Sequence, residues 1–156
     1  MTFTIRAIDP AVVAELLEED DAGRPPHLFT DAEGGSPLRC CLTKAAPGER
    51  IALVSYAPLR RWAAAQGIDP GAYDEQGPIF LHATTCSGLT SQAWPTTAHR
   101  ILRMYGEAGT IVGGHYLPAD TDPEVALKEV FADPEVRAVH VRAVEYGCFH
   151  FEVARA

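Results

Sequence analysis

Apolar and polar positions along this chain change period often enough to predict a series of short strands interrupted by two helices. Residues 3–8 alternate as a strand. Asp9 then has the place of an N-cap with Pro10 at the first helical position, and Val13, Leu16 and Leu17 supply an apolar stripe. The run Glu18-Glu19-Asp20-Asp21 ends this helix in solvent. Adjacent residues on a helix do not converge, so the run reads as a solvated helix end rather than a cation site. Residues 22–37 hold several Gly and Pro and are expected to be loop. Leu38–Thr43 and Arg50–Tyr56 read as two strands joined through Ala46-Pro47-Gly48. Residues 59–66 form a short helix stopped by Gly67, and a loop carries Asp69-Pro70-Gly71. Ile79–Ala83 is a compact strand, and Arg100–Tyr105 with Thr110–Tyr116 is a hairpin. Asp122-Pro123 repeats the helix-start signal; Val125, Leu127, Val130 and Phe131 face one way, and the helix ends before Asp133-Pro134.

The last twenty residues specify their own pairing. Val136–Val144 and Cys148–Val153 make a hairpin if Glu145-Tyr146-Gly147 is the loop, with Gly147 in the left-handed position that a bulged three-residue loop requires. That register sets Val139 against Val153, Val141 against Phe151 and Ala143 against Phe149, a uniformly apolar side. The other side brings Arg142 opposite His150, His140 opposite Glu152 and Val144 opposite Cys148. A slip of one residue sets Arg142 against Phe149 and mixes the faces.

These elements define an α+β fold, a mainly antiparallel sheet built from hairpins with two principal helices on one face. At 156 residues the chain fits a single domain. A chain of this length buries roughly 68–70% of its unfolded surface. A composition of 47% hydrophobic and 22% charged residues is that of a globular protein.

Net charge of −8 leaves no basic footprint for phosphate backbones, which argues against nucleic acid as a partner. The same acidity repels anionic membranes, and no apolar run approaches the ~20 residues of a span. The stretch Met1-Thr2-Phe3-Thr4-Ile5-Arg6 lacks the regions of a signal peptide, and asparagine is absent, so no glycosylation sequon exists. A cytoplasmic protein is expected. Exposed strand edges leave room for a homodimer.

Four cysteines in so long a chain do not read as a secreted disulfide framework. Cys40 and Cys41 are neighbours on a predicted strand and are expected to point to opposite faces. Two segments carry both histidine and cysteine: Gly77-Pro78-Ile79-Phe80-Leu81-His82-Ala83-Thr84-Thr85-Cys86, and Tyr146-Gly147-Cys148-Phe149-His150-Phe151-Glu152.

Cys148 and His150, about 6.6–6.8 Å apart along one strand face, are spaced to lean on a single ion. His82 and Cys86 would be about 13 Å apart if extended, so Thr84-Thr85 would have to turn the chain before they shared one. A zinc site needs at least three protein ligands, and neither C-x-x-C nor H-E-x-x-H supplies them. No metal and no cofactor is therefore expected; the plainer reading is that Cys148 packs and His150 bonds across the strands.

Thiolate catalysis would need Cys148 beside His150 or Arg142, or Cys86 beside His82 on a chain that folds back. Arg142 next to His150, with Arg103, would offer a positive pocket to a carboxylate or phosphate, although Arg142 paired with Glu145 or Glu152 is the commoner outcome. Gly113-Gly114-His115 belongs to no dinucleotide or P-loop fingerprint, and there is no G-x-S-x-G elbow. His27 and His99 lie in polar, loop-like surroundings.

Four blocks occur in order: Arg39-Cys40-Cys41-Leu42; Gly77-Pro78-Ile79-Phe80-Leu81-His82-Ala83 with Cys86; Arg100-Ile101-Leu102-Arg103-Met104-Tyr105; and Val139-His140-Val141-Arg142 before Gly147-Cys148-Phe149. In these the chain resembles a bacterial family, the domain-of-unknown-function family 1203, over most of its length after residue 38. The segment from Arg60 to Asp74 is longer than the family pattern. The resemblance implies a small, single-domain, cytoplasmic bacterial protein, and it brings no established activity or catalytic residues.

The functional expectation is a domain that binds a small molecule, an anionic one in particular, in a pocket lined by His82, Cys86, Arg142, Cys148 and His150. Two alternatives use the same residues: a thiol- or metal-dependent enzyme, and an interaction protein in which they merely pack.

Overall fold

The computed structural model describes residues 3–156. The chain forms eight strands and three α-helices among these residues, in the order β1 (Phe3–Arg6), α1 (Pro10–Leu16), β2 (His27–Asp31), β3 (Glu49–Tyr56), α2 (Pro58–Gln66), β4 (Gly77–His82), β5 (Arg100–Tyr105), β6 (Ile111–Leu117), α3 (Pro123–Ala132), β7 (Ala138–Ala143) and β8 (Phe149–Arg155). The strands make two antiparallel sheets, one ordered β1-β8-β7-β5-β6 and the other β2-β3-β4, so the fold is α+β. The short helix expected over 59–66 is α2 and stands beside the two principal helices, while the single sheet expected from the sequence becomes two.

These elements gather into two compact units whose sequences interleave. One holds Ala7–Ala57 and Gln76–Ser91, with α1 and the three-stranded sheet; the other holds β1, Pro58–Glu75 and Gln92–Ala156, with α2, α3 and the five-stranded sheet.

Helix starts follow their caps. Asp9 accepts the Ala11 N–H at 2.8 Å and Asp122 accepts that of Glu124 at 2.9 Å, each ahead of a proline in the first turn. Each cap satisfies a donor that a helix N-terminus leaves unpaired. Val13 and Leu16 of α1 are buried, as are Ala126, Leu127, Val130 and Phe131 of α3, whereas Val125 faces solvent.

Glu18 and Glu19 beyond α1 are exposed, as expected, but Asp20 is not. Asp20 is buried, and its carboxylate takes the N–H groups of Ala22 and Arg24 on one oxygen and of Ser55 on the other, each at 3.0 Å. Burial works against the charge, but these three donors outweigh it and hold Asp20 below the ordinary carboxylate range. Asp21 accepts the Ala57 N–H at 2.7 Å. The two carboxylates thus tie the end of α1 to β3.

Two loop and strand expectations also fall. Residues 22–37, read as loop, include β2, where Leu28 sits opposite Ala52 and Phe29 opposite Ile51; His27 is therefore a strand residue. Residues 38–43, read as a strand, form a helical turn: the Leu42 N–H bonds the Leu38 carbonyl at 2.9 Å, and Leu42 has a positive φ of 61°. Left-handed geometry is costly for a branched side chain and invisible to hydrophobic periodicity.

The C-terminal hairpin keeps its expected pairing at Val139–Val153, His140–Glu152 and Val141–Phe151, and Gly147 takes the left-handed conformation, φ 72°. Beyond Val141 the ladder slips: Arg142 pairs with Phe149, and His150 is the extra residue of a bulge. The predicted Arg142–His150 and Ala143–Phe149 oppositions are absent.

Candidate metal centre

The three-stranded sheet carries the one site among the described residues where metal-ligating groups converge. Leu38 runs parallel to Phe80 on the free edge of β4, and the Arg39 N–H bonds the Phe80 carbonyl at 2.9 Å. The Ile8 N–H bonds the Arg39 carbonyl from the other side at 3.2 Å. So anchored, the turn at residues 38–42 delivers Cys40 and Cys41 beside His82, the last residue of β4. Successive residues of a helical turn point about 100° apart, whereas those of a strand point to opposite faces. Both sulfurs therefore reach the same place, and the expectation that they diverge is corrected by the turn.

The chain bends directly after His82, at Ala83-Thr84, and returns Cys86 to the histidine. This is the fold-back that the 13 Å extended separation demanded. The ligand atoms of Cys40, Cys41, His82 and Cys86 all lie within 4.8 Å of one another. Cys40 Sγ is 3.1 Å from His82 Nδ1, and Cys41 Sγ is 3.8 Å from it. Zinc–sulfur bonds of about 2.3 Å in a tetrahedron give sulfur–sulfur edges of about 3.8 Å. The spacing suits one ion.

Each ligand has an outer partner. Ile51 sits opposite His82, so Glu49, two residues along on the same face of β3, is the diagonal neighbour of the imidazole. Its Oε1 lies 3.2 Å from His82 Nε2, which leaves Nδ1 directed at the sulfurs. The His82 N–H donates to Cys40 Sγ at 3.4 Å and the Gly88 N–H to Cys86 Sγ at 3.5 Å. Cys41 Sγ meets the Thr43 hydroxyl at 3.0 Å. Carboxylate-held imidazoles and hydrogen-bonded sulfurs are what orient metal ligands.

Burial pushes the Cys40 thiol far above its ordinary value; the His82 N–H opposes this, and the Cys41 and Cys86 sulfurs add to it. Several thiolates do not form so close together unless a positive charge compensates them, and a coordinated metal ion deprotonates a thiol outright. Cys40 and Cys41 are buried, His82 and Cys86 partly exposed.

Of the five residues expected to line one pocket, His82 and Cys86 come together here. Arg142 and His150, on strands of the five-stranded sheet, and Cys148, in the turn before β8, belong to the other unit. Arg142 is buried and already engaged: its guanidinium donates to the Gly147 carbonyl and to Glu75 Oε1, both at 2.6 Å. Its partner is thus Glu75, which Arg103 also contacts, and neither Glu145 nor Glu152.

Burial, and then the nearby Arg103, push the Arg142 guanidinium down, while Glu75 opposes them. His150 is buried with its ring edge-on to Phe151, 4.9 Å between centroids. Cys148 stands in the turn, its Sγ 3.9 Å from the Tyr146 carbonyl. The face on which an open pocket was expected is packed. His140 shows this most clearly: it is fully buried between the rings of Tyr105 and Phe149, at 4.7 and 5.1 Å.

Cys40, Cys41 and Glu49 are what sequence reasoning missed. The adjacent cysteines were a visible signal, but the strand assignment separated them; Glu49 left no signal of its own.

An α+β protein with a three-cysteine, one-histidine cluster is the class that this geometry defines. The sequence profile described as "Protein of unknown function (DUF1203)" matches residues 35–155, which include every ligand of the cluster, and the chain belongs to that family. No curated protein and no solved structure matches the chain. No helix among the described residues is long and apolar enough to cross a membrane.

Proposed function

We propose that this protein binds a single zinc ion through Cys40, Cys41, His82 and Cys86, and that the ion has a structural role. The observation that carries this reading is the joint geometry of the cluster: four ligand atoms within 4.8 Å of one another, with the far nitrogen of the histidine held by Glu49. Three soft sulfurs and an imidazole select zinc over magnesium or calcium, which prefer oxygen. Four protein ligands complete a tetrahedron, so no position remains for the water that a catalytic zinc keeps.

The ion would join the turn after Leu38, the end of β4 and the bend that follows. Cys40 and His82 are 42 residues apart, so it closes a long loop in a unit with a three-stranded sheet. Binding free energy at such a site is folding free energy. The setting that suits this reading is a bacterial cytoplasm, where reduced thiols are available for coordination.

Elemental analysis of the full chain, purified under reducing conditions and then incubated with zinc and desalted, tests the proposal. About one zinc per chain is expected, falling to none in Cys40→Ser and His82→Ala and retained in Cys148→Ser. A cobalt-loaded sample should show thiolate-to-cobalt charge-transfer absorption. Metal-free protein after reconstitution, or zinc retained without Cys40 and His82, would overturn it.

A further inference from the structure

The other unit contains a cavity of about 500 Å³ whose lining includes Arg6, Trp62, Ile68, Glu107, Arg137 and Arg155. From this lining we infer a second binding site, one that takes a small organic anion: a planar apolar body bearing a phosphate or carboxylate group. The site shares no residue with the cluster of cysteines, and the inference does not depend on zinc.

Charge is the first argument. Three guanidinium groups and one carboxylate line this cavity, on a chain whose net charge is −8. A concentration of positive charge against the prevailing sign focuses the local potential and draws anions to it.

The second argument is how the arginines are held. Arg155 donates from Nη2 to the carbonyls of Asp133 at 2.8 Å and Val136 at 3.2 Å, and its guanidinium lies 5.2 Å from the centre of the Phe131 ring. Carbonyls and a ring face fix the group in place beside the cavity. Arg137 is anchored through its backbone, whose N–H bonds the Tyr105 carbonyl at 2.8 Å. Its guanidinium reaches Glu107 only at 3.7 Å, and the side chain of that glutamate is 87% exposed. A loose pair of this kind is screened by water and contributes little, so an incoming anion displaces it at small cost. Arg6 meets Glu152 at 3.4 Å from the strand beside Arg155.

Shape is the third. Trp62 and Ile68 are partly buried and, with Ala154, give the cavity an apolar part to its lining. A ring stacked there places its anionic substituent among the arginines, and guanidinium forks match phosphate and carboxylate oxygens in pairs. The volume is that of a site for a compound of a few hundred daltons rather than a bare ion.

The chain has two tryptophans, so Trp94→Phe leaves Trp62 as the sole indole reporter. Fluorescence of this variant, titrated with phenyl phosphate, benzoate, inorganic phosphate and benzyl alcohol, tests the inference. A saturable change is expected with phenyl phosphate or benzoate, and whichever binds tighter identifies the preferred anionic group. Arg137→Gln should weaken that binding about tenfold, the equivalent of one charge-assisted hydrogen bond. Arg60→Gln, which removes an ion pair with Asp74 outside the cavity lining, should leave it unchanged. An unaltered circular dichroism spectrum establishes that Arg137→Gln folds. No saturable response to either ring-bearing anion, equal binding in Arg137→Gln, or an equal response to benzyl alcohol or inorganic phosphate overturns it.

Discussion

Glu49 Oε1 lies 3.2 Å from His82 Nε2, across a diagonal of the β3–β4 ladder. The carboxylate fixes which nitrogen of the imidazole turns toward the three sulfurs. Glu49→Gln keeps the length of the side chain and removes its charge, so the imidazole loses the charged partner that orients it. Zinc affinity should fall about 10- to 100-fold, the usual cost of losing an outer-shell carboxylate. Competition with a chromophoric chelator measures it, and equal affinity in the two proteins would remove Glu49 from the site.

Zinc should also change stability. At a free concentration one hundred times its dissociation constant, zinc bound only to the folded chain adds about 2.7 kcal/mol. Thermal melts with zinc and with a chelator should differ in the wild-type chain and in Cys148→Ser, whose sulfur lies outside the cluster. In Cys86→Ser the difference should shrink. A chelator that leaves the wild-type melt untouched is the result that contradicts a structural ion.

His140 predicts a pH dependence. It is fully buried, and among the described residues neither ring nitrogen has a hydrogen-bond partner. Burial pushes its pKa below the ordinary 6.5, chiefly by desolvation, while Glu152 at 3.8 Å opposes the shift and Arg142 and Arg103 reinforce it. Between the lowered folded value and 6.5 the unfolded chain binds the proton that the folded chain refuses. Stability is therefore intact above about pH 6.5 and declines as the pH falls below it. Chemical denaturation from pH 7.5 to 5 should show a slope that flattens in His140→Phe. An identical slope in both proteins would assign the acid sensitivity elsewhere.

Asp20 offers a test of how the end of α1 is held to β3. Its two oxygens accept three backbone N–H groups, so Asp20→Asn must turn an amide donor toward at least one of them. A donor set against a donor costs about 1–3 kcal/mol. Urea denaturation should report a loss in that range, and a neutral substitution would mean that water takes over these bonds.

Much of the fold could be read from local chemistry. Asp9-Pro10 and Asp122-Pro123 start helices because a carboxylate cap and a proline each satisfy a requirement of the first turn. Gly147 closes the last hairpin because its backbone must be left-handed. Periodicity carried the β7–β8 register only as far as Val141, where the bulge at His150 breaks a two-residue rule that has no term for an extra residue.

The same rule misplaced the cluster. Strand alternation separates Cys40 from Cys41, yet Leu42 in a left-handed conformation curls the segment so that both face His82. Nothing in the identity of a leucine announces that geometry. His82 and Cys86 were recognisable as chemistry, and the turn between them as a condition. Glu49 joins them through pairing between β3 and β4, which no local pattern encodes.

The order of the ligands along the chain has a consequence for biosynthesis. Cys40, Cys41, His82 and Cys86, with the whole unit that carries them, lie before residue 92, whereas β1 must wait for β8, more than a hundred residues later in the chain, to find its neighbour. If zinc binds there, the cysteine-bearing half can emerge from the ribosome with its ligand set complete before β8 has been made. Metal supply would then be felt by the nascent chain, well before the larger sheet can close.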